Sequence, residues 1–153
     1  MKITDILVED AVILDAESDT KSALLEEMAG ALATAVPGLE VDRLLKVLTE
    51  RESLQSTGIG EGVAIPHGKV VGLDGLVASF ARSRPGIDFD AIDQQPTHLF
   101  FLLVVPEHSA GQHLKALARI SRFLRDDEFR QSLMEAEDLE SILAAIAQED
   151  GKF

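Results

Sequence analysis

Leu99-Phe100-Phe101-Leu102-Leu103-Val104-Val105 is apolar at every position. Alternate side chains of a strand point to opposite faces of its sheet, so an unbroken apolar run of this length suits a strand covered on both sides. Such a strand needs a layer of helices above and below it. The flanking sequence is read outward from here for those layers.

Downstream, Pro106 closes the strand, and Ser109-Ala110-Gly111-Gln112 has capping-box spacing, with Ser109 as N-cap and Gln112 three residues later. The helix that follows is expected to bury Leu114, Leu117, Ile120 and Leu124. Two shorter helices are expected beyond it. One starts at Asp126 or Asp127, and one starts at Asp138 and carries Leu139, Ile142, Leu143 and Ile146.

Upstream, Pro85 to Pro96 reads as a connecting loop with one short edge strand, and Leu76 to Phe80 as a strand. Val63-Ala64-Ile65 is a further short strand. Before it, Ser56-Thr57-Gly58-Ile59-Gly60-Glu61-Gly62 is too rich in glycine for a helix. Val41 to Glu52 reads as a helix with Leu44, Leu45 and Leu48 as its buried stripe. Arg51 falls at the end of that stripe and is expected to project into a crevice. An earlier helix is capped within Ser18-Asp19-Thr20, carries Leu24, Leu25, Met28, Leu32 and Ala35, and stops at Pro37-Gly38. Val12-Ile13-Leu14 is a candidate first strand. Strands interleaved with helices predict an α/β fold, a mixed sheet of about five strands flanked by helices on both faces, within a single domain over residues 1–153.

Composition narrows the function. Apolar residues make up 46% and charged residues 27% of the 153, as in ordinary globular proteins. The absence of cysteine rules out disulfides and thiolate chemistry. Met1 to Asp10 has no basic region followed by an apolar one, so no signal peptide is read there. No apolar run approaches the roughly 18 residues a membrane span needs, so membrane insertion is not expected and a cytoplasmic location is. A net charge of −13 argues against nucleic acid and anionic lipid as partners.

Chemistry concentrates in Gly58-Ile59-Gly60-Glu61-Gly62-Val63-Ala64-Ile65-Pro66-His67-Gly68. The glycines let backbone amides approach an anion closely. Glu61 adds a negative charge, which phosphate tolerates there only if the side chain turns outward. No Gly-Lys-Ser or Gly-Lys-Thr follows, so this is not a nucleotide-binding P-loop. Pro66 stiffens the chain before His67, and Gly68 leaves its ring uncrowded. A neutral imidazole with one nitrogen hydrogen-bonded and the other free is a suitable nucleophile toward phosphorus. Taken alone, Pro-His-Gly is also an ordinary surface turn. A metal reading of His67, His98, His108 and His113 with Glu107 lacks the spacing of known zinc motifs. His98 is further set apart from His108 by a strand about 30 Å long.

Glu50-Arg51-Glu52, Ser56-Thr57-Gly58-Ile59-Gly60 and Ala64-Ile65-Pro66-His67-Gly68 together resemble the fructose/mannitol-type IIA domains of the bacterial sugar phosphotransferase system, the stand-alone nitrogen-regulatory IIA proteins above all. The similarity continues through Pro85-Gly86-Ile87-Asp88-Phe89, the apolar strand ending at Pro106, and His113-Leu114. It implies that His67 is phosphorylated by an HPr-type phosphocarrier protein, with Arg51 and His113 as active-site partners. It also implies a phosphate cradle from Ser56, Thr57, Gly58, Gly60, Gly62 and Gly68, with no cofactor and no metal. The physics suits these roles. Phosphoryl transfer asks the protein for alignment and for charge stabilisation, which arginine supplies through its planar fork of donors.

Two outputs remain open. A regulatory module would use phosphorylation as a nitrogen or metabolic switch and bind a target protein accordingly. A sugar-specific component would pass the phosphoryl group to a IIB domain. No transporter or IIB-like segment is read in the sequence, which favours the regulatory output.

Overall fold

A computed structural model describes residues 1–153, Ala110 by its backbone alone. The apolar run lies within β5 (Thr97–Pro106), and none of residues 99–105 is more than 2% exposed. Each fully buried Leu, Phe or Val of this kind stabilises the fold by about 1.5–3 kcal/mol. β4 (Val77–Ile87) pairs antiparallel along one edge of β5. Along the other edge, β2 (Val63–Ala64) and β3 (His67–Val70) pair in succession, both parallel. β1 (Gly58–Gly60) pairs antiparallel with β2. The mixed α/β sheet therefore has five strands, as expected.

Alternation along β5 sorts the helices into two layers. Phe100, Leu102 and Val104 face a core built with Leu24, Met28 and Leu32 of α2 (Lys21–Ala35) and with Leu44 and Leu48 of α3 (Val41–Leu54). Leu99 and Phe101 face the opposite layer. There they meet Ile3 of α1 (Ile3–Ile6), Ile120 and Phe123 of α4 (Ala110–Leu124), Phe129 and Leu133 of α5 (Asp127–Glu135), and Ile142 and Ile146 of α6 (Leu139–Asp150). Thr20 caps α2 through Ala23 N–H, and Asp126 and Asp138 cap α5 and α6. Among the described residues, no helix is long and apolar enough to cross a membrane.

Several local expectations are corrected. Val12-Ile13-Leu14 is not a strand: only Ile13 bridges to β4, beyond a turn of 3-10 helix at Glu9–Ala11 that interrupts the pairing. β4 runs past Pro85 to Ile87, because an irregularity between Arg82 and Ile87 leaves the proline without a ladder bond to donate. Ser109 makes no side-chain cap: its hydroxyl donates to Pro106 O at 2.7 Å, which removes it from the helix amides. Leu114 is 68% exposed, and the buried face of α4 is Ala116, Ile120, Phe123 and Leu124. Leu139 is likewise exposed, since α6 turns Ile142 and Ile146 inward.

Candidate functional site

The site forms where the edge strand β3 meets the end of α3 and the start of α4. One pocket is lined by Val47, Glu50, Arg51, Ser53 and Leu54 of α3, by His67, Gly68 and Lys69 of β3, and by His113 of α4. Pro66 O accepts from Leu103 N–H at 2.9 Å and holds the chain against β5 just before β3 begins. Gly68 is fixed by packing: a Cβ there would lie 2.4 Å from Val47 Cγ1. Glycine is what allows α3 to lie this close to β3.

His67 is half-buried, and its Nδ1 lies 2.8 Å from Ile65 O. A carbonyl only accepts, so Nδ1 carries the proton and Nε2 keeps a free lone pair. Burial pushes the His67 pKa below its ordinary value, and Arg51 pushes the same way. The Ile65 carbonyl and the Glu52 carboxylate act in the opposite direction without reversing the shift. The ring is therefore neutral and nucleophilic at pH 7. His113 faces it with ring centroids 5.5 Å apart, and its own pKa is lowered by burial, then by His67 and Lys69. His113 Nε2 is buried with no hydrogen-bond partner among the described residues. Arg51 spends one nitrogen on Gln55 O at 2.8 Å.

Arg51, His67, Gly68 and His113 thus converge, and the rest of the expected cradle does not. Ser56 donates to Phe89 O at 2.6 Å and accepts from Gly58 N–H at 3.0 Å. The Thr57 hydroxyl donates to Glu52. Gly58 sits against Ala91, where an added Cβ would come within 3.0 Å of the Ala91 backbone. Gly60 and Gly62, at φ +93° and +77°, form the turn between β1 and β2. Register pairs Val63 with Leu99 and His67 with Leu103. At the rise of a strand, that turn lies about 13 Å upstream of His67. Glu61 does point outward, 3.8 Å from Arg130 and away from the pocket.

Two residues near His67 receive no role from the motif, although Glu52 stands within its Glu50-Arg51-Glu52 and Lys69 directly follows its Gly68. Lys69 shares a strand face with His67 by the two-residue alternation, which could have shown it. Glu52 is the next member of the stripe Leu44, Leu48 at four-residue spacing. The stripe therefore ends on Glu52, with Arg51 beside it at the pocket. His98 is held by Ser83 O at 3.0 Å, His108 is exposed with its Nε2 3.9 Å from Glu107, and no metal-binding cluster occurs among the described residues.

Comparison with known proteins gives a consistent picture. Residues 5–149 match the family model described as "Phosphoenolpyruvate-dependent sugar phosphotransferase system, EIIA 2". The chain is 40% identical to a nitrogen regulatory protein of Bradyrhizobium diazoefficiens, over 96% of this chain and 95% of that one. It is 38% identical to the fructose-specific EIIABC component of Bacillus subtilis over 98% of this chain, which spans 24% of that longer protein. The crystal structure of nitrogen regulatory protein IIA-Ntr from Neisseria meningitidis superposes with a TM-score of 0.88 at 36% identity, covering 94% of this chain and 98% of that one. The mannitol IIA of Escherichia coli, at 18% identity and a TM-score of 0.75, shares the fold.

Proposed function

Because the chain belongs to the EIIA 2 family of the phosphoenolpyruvate-dependent sugar phosphotransferase system, we propose that His67 accepts a phosphoryl group from an HPr-type phosphocarrier and that the result is mainly a regulatory switch. The observation that carries this reading is the pinned ring of His67, with Nδ1 bonded to Ile65 O and Nε2 left free. In the transfer, the Nε2 lone pair forms a bond to phosphorus while the donor's P–N bond breaks and the donor nitrogen keeps the electron pair. Arg51 meets the charge on the equatorial oxygens, and His113 Nε2, protonated, donates to one of them. Gly68 keeps β3 against α3, and no metal or cofactor takes part. The reading places this exchange in the cytoplasm, with residues 1–153 acting as one phosphocarrier unit.

Similarity to nitrogen regulatory proteins along nearly their whole length supports the regulatory output. A second output, transfer onward to a IIB domain, is favoured by the almost equal identity to the fructose-specific component of Bacillus subtilis. Incubation with phosphorylated carrier should add one phosphoryl group, labile in acid and stable in alkali. His67→Gln should abolish it with the fold intact, and full labelling of that variant would refute the assignment. Offering the phosphorylated chain to an isolated fructose-type IIB domain separates the outputs, since efficient transfer selects the second.

A further inference from the structure

Glu52 is a buried carboxylate, 8% exposed, one residue from Arg51. Both its oxygens lie 3.1 Å from Thr57 N–H, and it also accepts from the Thr57 hydroxyl. Lys21, at the start of α2, pairs with it at 3.0 Å. The same ammonium reaches Phe89 O at 3.4 Å and lies 4.8 Å from the centroid of the Phe89 ring. The start of α2, the end of α3 and the residue before β1 therefore meet on one carboxylate, and Lys21 links them to the segment after β4. Arg51 and Gln55, the residue whose carbonyl holds the Arg51 guanidinium, both lie on the short stretch that this carboxylate fastens.

We propose that Glu52 and Thr57 are positioning residues for Arg51: by tying the end of α3 to the start of β1, they fix the reach of its guanidinium toward the phosphoryl group on His67. The proposal rests on the reading that Arg51 meets that group. Glutamate is required because the site asks one side chain to accept from two Thr57 donors and to neutralise Lys21. Glutamine keeps the shape, gives up the charge and turns one acceptor into a donor. The part-buried ammonium of Lys21 is then left to Phe89 O and to Asp90, which is mostly exposed and 3.5 Å away. The segment loosens, and the cost appears at Arg51, the side chain whose function depends on aim. Small errors of aim are expensive in group transfer.

The test is a double-mutant cycle read by single-turnover phosphoryl transfer from phosphorylated HPr-type carrier. Glu52→Gln and Thr57→Val should each slow transfer at saturating carrier by about tenfold or more, with the carrier concentration for half-saturation little changed. In the Arg51→Ala background, at pH 8 where His67 is neutral and the direct effect of Glu52 on its proton is silent, the same substitutions should change the rate by less than about twofold, because the group they position is gone. Thermal melts of each variant show that the fold is retained. Thr57→Val removes only a hydroxyl and serves where Glu52→Gln does not fold. Unchanged rates in the wild-type background, or equal losses in both backgrounds, would overturn the proposal while leaving His67 as acceptor. Failure of the wild-type chain to take any phosphoryl group would instead overturn the reading on which it rests.

Discussion

The protonation of His67 is set by its surroundings. Sharing its pocket are Glu50 and Arg51 of α3, Lys69 of its own strand and His113 of α4; Glu52 acts on it from outside the pocket lining, and burial is the largest influence on its proton. A histidine whose pKa is lowered loses its proton below the ordinary value of 6.5, so the nucleophilic form is already dominant at neutral pH. Acceptance of phosphate should therefore rise with pH to a midpoint below 6.5 and be flat from about pH 7 to 8. An NMR titration of the His67 ring should show the same midpoint. Arg51→Ala removes a positive neighbour, so that midpoint should move upward, while transfer at pH 7.5 slows by about 10²–10³-fold. A midpoint that stays in place would show that Arg51 does not face the ring.

At the scale of elements, the site depends on how closely α3 lies against β3. Gly68 faces Val47, whose Cγ1 occupies the place of a missing Cβ. Gly68→Ala should cost about 1–3 kcal/mol, because a β-branched side chain has little freedom to withdraw. Val47→Ala in the same chain should recover most of that loss, and denaturant titration of the single and double variants checks both. The stripe Leu44, Leu48, Glu52 shows what periodicity does and does not reveal. Four-residue spacing marks the buried face whatever residue occupies it, but hydrophobicity reads only the first two members. Hydrophobicity therefore passes over Glu52 and assigns the end of the stripe to Arg51.

At the scale of the molecule, the end of α5 and the segment before α2 are held to β4 by a buried polar anchor as well as by apolar packing. Arg82 of β4 is fully buried, and its guanidinium donates to Leu133 O at 2.9 Å, Met134 O at 3.3 Å and Ala136 O at 2.5 Å, and pairs with Asp15 at 3.0 Å. Arg82→Met fills the space but strands those carbonyls, at a cost of about 3–5 kcal/mol. The melting temperature should fall by about 10 °C. Phosphoryl transfer at low temperature should be retained, since none of these contacts reaches the pocket. A variant as stable as the parent would show that water satisfies the carbonyls.

The sequence by itself determined the α/β architecture and the central position of residues 99–105, because each rests on local pattern, and it singled out His67 as the candidate acceptor through a contiguous motif. An unbroken apolar run admits few surroundings, whereas Pro-His-Gly alone also reads as a surface turn, and only the structure shows His67-Gly68 opening β3. Only the tertiary structure decided which glycines serve the site. Gly60 and Gly62 belong to the same contiguous motif as Gly68, yet strand register carries them to a hairpin turn while Gly68 packs beneath α3. It also decided that Thr57 is an anchor for Glu52 and that Lys21 completes the anchor from a distant helix. The physical reason is that a strand fixes direction along the chain, whereas contacts across strands and between layers join residues whose separation in sequence carries no signal.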